Sequence, residues 1–155
     1  MKTRIWLAVI ITFGILACGK DNFETKPQLE YLSRNTEVVE VGQPLRLNIE
    51  FRDKEGDVSD TIFIVRQRLN KRGPVQLPAA FYQIPDFPKT DKGEFEITLD
   101  YSQQLTSALS AIPIPGSGNP SKKEIDTLRI KILARDLGGN KSDTLVVDNV
   151  YVKRM

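Results

Sequence analysis

Alternation of apolar and polar residues dominates the chain from residue 38 onward. In Leu45-Arg46-Leu47-Asn48-Ile49-Glu50-Phe51-Arg52 every odd position is apolar and every even one polar. Phe95-Glu96-Ile97-Thr98-Leu99-Asp100-Tyr101 repeats the pattern. Leu128-Arg129-Ile130-Lys131-Ile132 does so again, with Ala134 extending its apolar face. A period of two is that of a half-buried antiparallel strand, one face in a core and the other in water. Residues 61–69 predict a fourth strand, with Phe63, Val65 and Leu69 on one side and Arg66 and Arg68 on the other. Residues 144–152 predict a fifth. Its apolar phase slips between Val147 and Val150, as happens at a bulge or a sheet edge. Residues 38–41 and 81–84 complete a set of about seven, the number typical of an antiparallel β-sandwich.

The connections suit that architecture. Asp53-Lys54-Glu55-Gly56-Asp57 and Asp136-Leu137-Gly138-Gly139-Asn140 are turn chemistry between apolar runs. Residues 70–92 are proline-rich and predict a loop with one short edge strand. Residues 102–126 predict a second long connection. Within it, residues 102–111 could form a short helix with Leu105, Ala108 and Leu109 on one side. Residues 113–120, rich in Pro and Gly, predict exposed irregular chain.

The N-terminus follows different rules. Lys2 and Arg4 precede a run from residue 5 to 17 that is apolar except at Thr12 and Gly14. This run has the length of a signal-peptide core, whereas a spanning helix needs about 20 apolar residues. A buried N-terminal helix or a short anchor is the alternative. Ile15-Leu16-Ala17-Cys18 resembles the bacterial lipobox. In that family the cysteine, here Cys18, is alkylated by diacylglycerol, becomes the mature N-terminus and is then acylated. Two or more acyl chains hold a protein stably to a bilayer where one does so marginally. Cys18 is the only cysteine, so no intrachain disulfide can form. By the same resemblance Gly19, in place of the Asp of inner-membrane lipoproteins, favours the outer membrane. Cys18-Gly19-Lys20-Asp21-Asn22 is similar to a surface-export signal of one group of Gram-negative lipoproteins, departing from it at Asn22. Surface display is therefore favoured slightly over a periplasmic orientation. The expected organisation is a signal peptide over residues 1–17, a lipidated cysteine and flexible tether over 18–37, and a β-sandwich over 38–152.

Two segments resemble bacterial immunoglobulin-like domains, including cadherin-like and fibronectin-like kinds. One is Val41-Gly42-Gln43-Pro44-Leu45 leading into the acidic turn at Asp53. The other is Ala134-Arg135-Asp136-Leu137-Gly138-Gly139-Asn140-Lys141-Ser142, similar to the Ala-x-Asp-x-x-Gly-Asn-x-Ser pattern between the last two strands of such modules. The resemblance implies an all-β immunoglobulin-like sandwich and says little about function, because that architecture hosts many roles.

Charge and composition narrow the function further. Lys and Arg total 22 against 20 Asp and Glu, and the excess lies in Lys2 and Arg4. Without a basic surface a nucleic-acid partner is not expected. The chain has no histidine, which removes Ser-His and Cys-His catalysis and imidazole ligands. No phosphate loop or nucleophile elbow is present, so a non-enzymatic role is expected.

Three groups of residues remain as candidates. Asp53, Glu55, Asp57, Asp60 and Asp136 lie in loops that the topology would bring to one end. Turn-making is the simpler reading of them, since Asx side chains bond their own backbone. A calcium site is the alternative, calcium taking carboxylate and carbonyl oxygens, and cadherin-like modules bind calcium through matching loops. Otherwise no cofactor is expected. Phe81, Tyr82 and Phe87 offer a glycan or protein contact surface, against the reading that they fold onto the sandwich edge. Arg66, Arg68, Lys71 and Arg72 are read as a solvated strand face. The expected function is a lipid-anchored, non-catalytic binding or structural module at the outer membrane, its membrane contact made through acyl chains on Cys18. The alternatives are a glycan-binding accessory lipoprotein and a subunit of an envelope complex whose edge strands pair with a protein partner.

Overall fold

A computed structural model describes residues 25–155. The expected signal peptide and Cys18 lie outside the described residues. Where the alternation is strongest the strands are longest. Strand β3 (Leu45–Arg52) buries Leu45, Leu47, Ile49 and Phe51, and β8 (Asp126–Arg135) buries Leu128, Ile130, Ile132 and Ala134. Around them lie β1 (Gln28–Arg34), β2 (Val38–Val39), β4 (Thr61–Arg68), β5 (Val75–Gln76), β6 (Ala80–Gln83), β7 (Lys92–Leu99) and β9 (Leu145–Val152). One sheet has the order β1-β3-β7 and the other β2-β9-β8-β4-β5, with β6 also paired to β4. The buried faces of both sheets contribute to one hydrophobic core. This is the all-β sandwich that the sequence implies. All pairings are antiparallel except β2 with β9.

Several expectations change. Residues 28–34, assigned to the tether, form β1 and pair with β3 from Gln28↔Arg52 to Arg34↔Leu47. Their phase is broken by a shift between Tyr31 and Ser33, which hides the alternation in sequence. After β1 the chain crosses to the other sheet as β2, where the Lys153 amide donates to the Val39 carbonyl at 3.0 Å. The expected helix over 102–111 is one π-helical turn, Tyr101–Leu105. Asp100 caps it, accepting from the Ser102 and Gln103 amides. Leu105 and Leu109 are buried as expected, but Ala108 is exposed and stands at φ +60°, which ends the helical path. The slip in the last strand is a bulge. Leu128 pairs with Val150 and Ile130 with Val147, so β9 carries one extra residue, and Asn149 takes φ +57°. Val147 and Val150 thereby both face the core.

The faces of β4 are the reverse of a simple apolar-inside assignment. Ile62, Ile64 and Arg68 are buried, while Phe63 and Val65 lie partly exposed on the outer face. Arg66 and Arg68 therefore belong to the inward phase, at the end where the core closes. Arg68 donates to the carbonyls of Gly73 and Ser110 at 2.8 Å each and pairs with buried Asp126 at 3.5 Å. Arg154 approaches the same carboxylate at 3.4 Å. Arg66 donates to the Gln104 carbonyl of the π-helical turn. These arginines are not a solvated face. They satisfy carbonyls that the end of the sandwich would otherwise leave unpaired. Lys71 and Arg72 are exposed, Arg72 pairing with Glu124.

Ile49 and Ile132 are fully buried and Arg46 is exposed. Ile49→Ala and Ile132→Ala are each expected to destabilise by about 2–5 kcal/mol. Arg46→Ala is expected to stay within about 0.5 kcal/mol. Urea unfolding of the three variants checks the assignment of the faces.

Candidate functional site

The inward phase of β3 does not stop at its last apolar residue. Counting on by two from Leu45, Leu47, Ile49 and Phe51 reaches Asp53, which is fully buried. The inward phase of β8 likewise runs past Ala134 to Asp136, 1% exposed. These are central strands of opposing sheets, so two carboxylates face each other where the core ends. The loop after β3 adds a third, Asp57. Carboxylate oxygens of Asp53, Asp57 and Asp136 all lie within 4.8 Å of one another.

The loops around them are locked together. The Leu137 amide donates to the Asp57 carbonyl at 3.0 Å, tying the β8–β9 turn to the β3–β4 loop. The Asp53 amide donates to the Asp91 carbonyl at 2.8 Å. Gly56 has φ +65°, and a side-chain carbon there would stand 3.0 Å from the Thr90 backbone. The turn chemistry read from sequence is present too. Asp53 Oδ2 accepts from the Asp57 amide at 2.9 Å. Asp136 Oδ1 accepts from the Asn140 amide at 2.7 Å, and its Oδ2 from Asn140 Nδ2 at 2.9 Å.

Turn-making does not exhaust the carboxylates. Asp53 Oδ1 and Asp57 Oδ1 are buried with no hydrogen-bond partner. Two unit negative charges 4.8 Å apart repel by about 3–4 kcal/mol at an effective dielectric near 20. Burial, reinforced by the neighbouring Asp57 and Asp136 carboxylates, pushes the Asp53 carboxyl up to about 6 from its ordinary 3.8. The pair of orphaned oxygens therefore calls for a shared proton or a cation. Three anionic oxygens are a fitting core for a hard cation such as calcium, which takes roughly six to eight oxygen ligands.

The other expected residues go elsewhere. Glu55 is exposed and is not one of the three converging carboxylates. Asp60 pairs with Arg135, whose guanidinium holds its carboxyl below the ordinary range. Phe81, Tyr82 and Phe87 do not form one surface. Adjacent residues of β6 point to opposite faces, so Tyr82 packs on the core while Phe81 stands outside, 68% exposed. Phe87 folds back onto Phe51, ring centroids 5.4 Å apart, in a groove of about 530 Å³ shared with Ile84 and Phe95. Asp126 was not singled out from sequence, although it too lies on the inward phase of β8, two residues before Leu128.

Because the Asp53 carboxyl titrates higher in the fold than its ordinary value, the protonated form favours folding. Its contribution to stability is complete below pH 3.8 and is lost as pH rises through about 6. Without divalent cations, Asp53→Asn should gain stability relative to wild type between pH 4 and pH 7. Urea unfolding in chelator at about pH 4 and about pH 7 measures this. An unchanged difference between the two proteins would contradict it.

No family model matches the chain, and no curated protein matches it. Solved structures give distant likenesses. A sporulation control protein from Bacillus subtilis, Spo0M, is 8% identical with a TM-score of 0.42, over 84% of this chain and 50% of that one. A β-glucosidase from Listeria innocua, in complex with gluconolactone, is 13% identical with a TM-score of 0.45, over 83% of this chain and 16% of that one. A superoxide reductase (neelaredoxin) from Ignicoccus hospitalis is 11% identical with a TM-score of 0.39, over 83% and 80%. Nothing of their activities transfers to this chain at that distance.

Proposed function

We propose that the protein is a lipid-anchored, non-catalytic binding or structural module of a bacterial outer membrane, held there by acyl chains on Cys18. The observation that supports this reading is how near the lipobox cysteine the chain is tied to the sandwich. The Thr25 carbonyl accepts from Asn140 Nδ2 at 3.4 Å, and Lys26 pairs with Asp143 at 2.9 Å. The chain is thus tied to the sandwich only seven residues after the lipobox cysteine. A domain tied to its chain so soon after an acylated cysteine is carried close to the bilayer. Gly19 favours the outer membrane, and the residues after it favour surface display slightly. Cys18→Ser is expected to abolish acyl labelling and to move the protein out of the membrane fraction or leave it unprocessed. Equal labelling of the variant would overturn the reading.

The two orphaned carboxylate oxygens favour a second part of the reading, that the acidic end holds a divalent cation, calcium before magnesium. Asp53, Asp57 and Asp136 would be its protein ligands, and its charge would relieve their repulsion. A ligand that binds only the native state stabilises it by about 2.7 kcal/mol at a hundredfold excess over Kd. Extracellular calcium modules have Kd near roughly 10⁻⁴–10⁻³ M. Millimolar calcium should therefore raise the melting temperature more than magnesium or matched ionic strength, and Asp57→Asn should remove the difference. Equal shifts from calcium and sodium salts would sink this part.

A further inference from the structure

The outer face of the larger sheet carries a row of apolar side chains. Phe63 lies between Phe81 on β6 and Leu133 on β8, in one row across the sheet. Phe81 meets Phe63 edge-on, centroids 5.2 Å apart, and keeps most of its ring in solvent. In the next row Lys131 sits between Val65 and Val146, the latter 44% exposed. Lys141 Nζ stands 5.9 Å from the Phe63 ring centroid. Large exposed apolar patches on soluble domains mark contact surfaces.

The charges around this patch are not balanced. Each acid beside it already has a partner: Asp60 holds Arg135, Asp148 holds Arg129 and Asp143 holds Lys26. Lys131 bonds the neutral Gln76 amide at 3.2 Å, and Lys141 faces an aromatic ring. Neither lysine has a carboxylate partner among the described residues. Aromatic and aliphatic side chains rimmed by lysines without a carboxylate partner match the interface of an anionic bilayer, where rings sit at headgroup depth and lysines meet phosphates.

The position of the patch says why a bilayer is within reach. Asn140, which holds Thr25, is the neighbour of Lys141, and Asp143, which holds Lys26, lies two residues beyond. The anchored chain therefore joins the sandwich at the margin of the patch. The seven residue steps from Cys18 to Thr25 span at most about 25 Å. That is shorter than the domain is free to wander on a long tether. Leu137, 63% exposed at the tip of the β8–β9 turn, adds an apolar side chain at the same end.

We infer that the outer face around Phe81, Phe63, Lys131 and Lys141 is a membrane-contact surface that lays the sandwich against anionic phospholipid headgroups. This rests on the lipid anchor proposed above. It fixes the orientation of the domain, so that the smaller sheet, with the edge strand β7, faces away from the bilayer.

The test uses the processed, membrane-extracted protein. The only tryptophan of the chain is Trp6, within the signal peptide, so Phe81→Trp gives a single reporter after processing. Thr98→Trp, on the exposed outer face of the smaller sheet, is the control. Both are reconstituted into vesicles of phosphatidylethanolamine and phosphatidylglycerol with brominated acyl chains. Intact mass reports acylation of Cys18 independently. The expected result is a blue-shifted Trp at position 81 that loses most of its emission to the brominated lipid, beside an unquenched Trp at position 98. Adding Lys131→Glu and Lys141→Glu should restore much of the emission. An acylated protein whose two reporters are quenched equally overturns the orientation and leaves the anchor standing. So does a blue shift at position 81 that is indifferent to bromination, which means a protein partner or a second copy covers the patch. A mass without acyl chains overturns anchor and orientation together.

Discussion

The structure turns on one constraint, the strict inward phase of two central strands. In β3 and β8 every second side chain must enter the core, because a strand cannot turn one residue over without turning all of them. Both phases outlast the apolar residues available to fill them. β8 begins on buried Asp126 and is followed at the other end by buried Asp136, and β3 is followed by buried Asp53. The core is thereby closed at each end by carboxylates.

The two ends solve the same problem differently. At one end Asp126 lies between Arg68 and Arg154, and Arg68 also satisfies two loop carbonyls. Burial pushes the Asp126 carboxyl up while the two guanidinium groups pull it down. Opposite charge is present in excess there: Asp126 Oδ2 accepts no hydrogen bond, but Arg154 stands 3.4 Å from it. At the other end no arginine enters the cluster. Asp136 is satisfied by Asn140, but Asp53 and Asp57 each keep an orphaned oxygen, with their charges close together. A buried carboxylate oxygen with neither a hydrogen bond nor a cation beside it is where an external proton or cation has the most to contribute. The two ends therefore differ in the charge that meets the buried carboxylate, arginines on Asp126 and further carboxylates on Asp53.

The acidic end is also where Thr25 and Lys26, the first described residues, meet the sandwich. Thr25 and Lys26 are tied to the β8–β9 turn, and that turn is tied to the β3–β4 loop through Leu137 and Asp57. Thr25, Lys26 and the acidic cluster thus share a small region held by a few hydrogen bonds.

The sequence by itself determined the strands whose faces alternate. The runs around Ile49, Ile97 and Ile130 could be read without a structure, and so could the bulge between Val147 and Val150. Hydrophobic periodicity is a local property that needs no knowledge of the partner strand. The expected sandwich topology also brought the loops of Asp53, Glu55, Asp57, Asp60 and Asp136 to one end. Tertiary structure alone decided the faces of β4, where Phe63 is outside and Arg68 inside. There the side chain's phase is set by pairing with β8, and a buried cation is tolerable only because Asp126 and distant carbonyls meet it. It alone recruited residues 28–34 as a strand, because pairing with β3 compensates for their broken pattern. It also separated Asp60 and Glu55 from the acidic cluster. Which carboxylate meets an arginine and which meets another carboxylate depends on distances between loops remote in sequence, and those distances exist only once both sheets have packed.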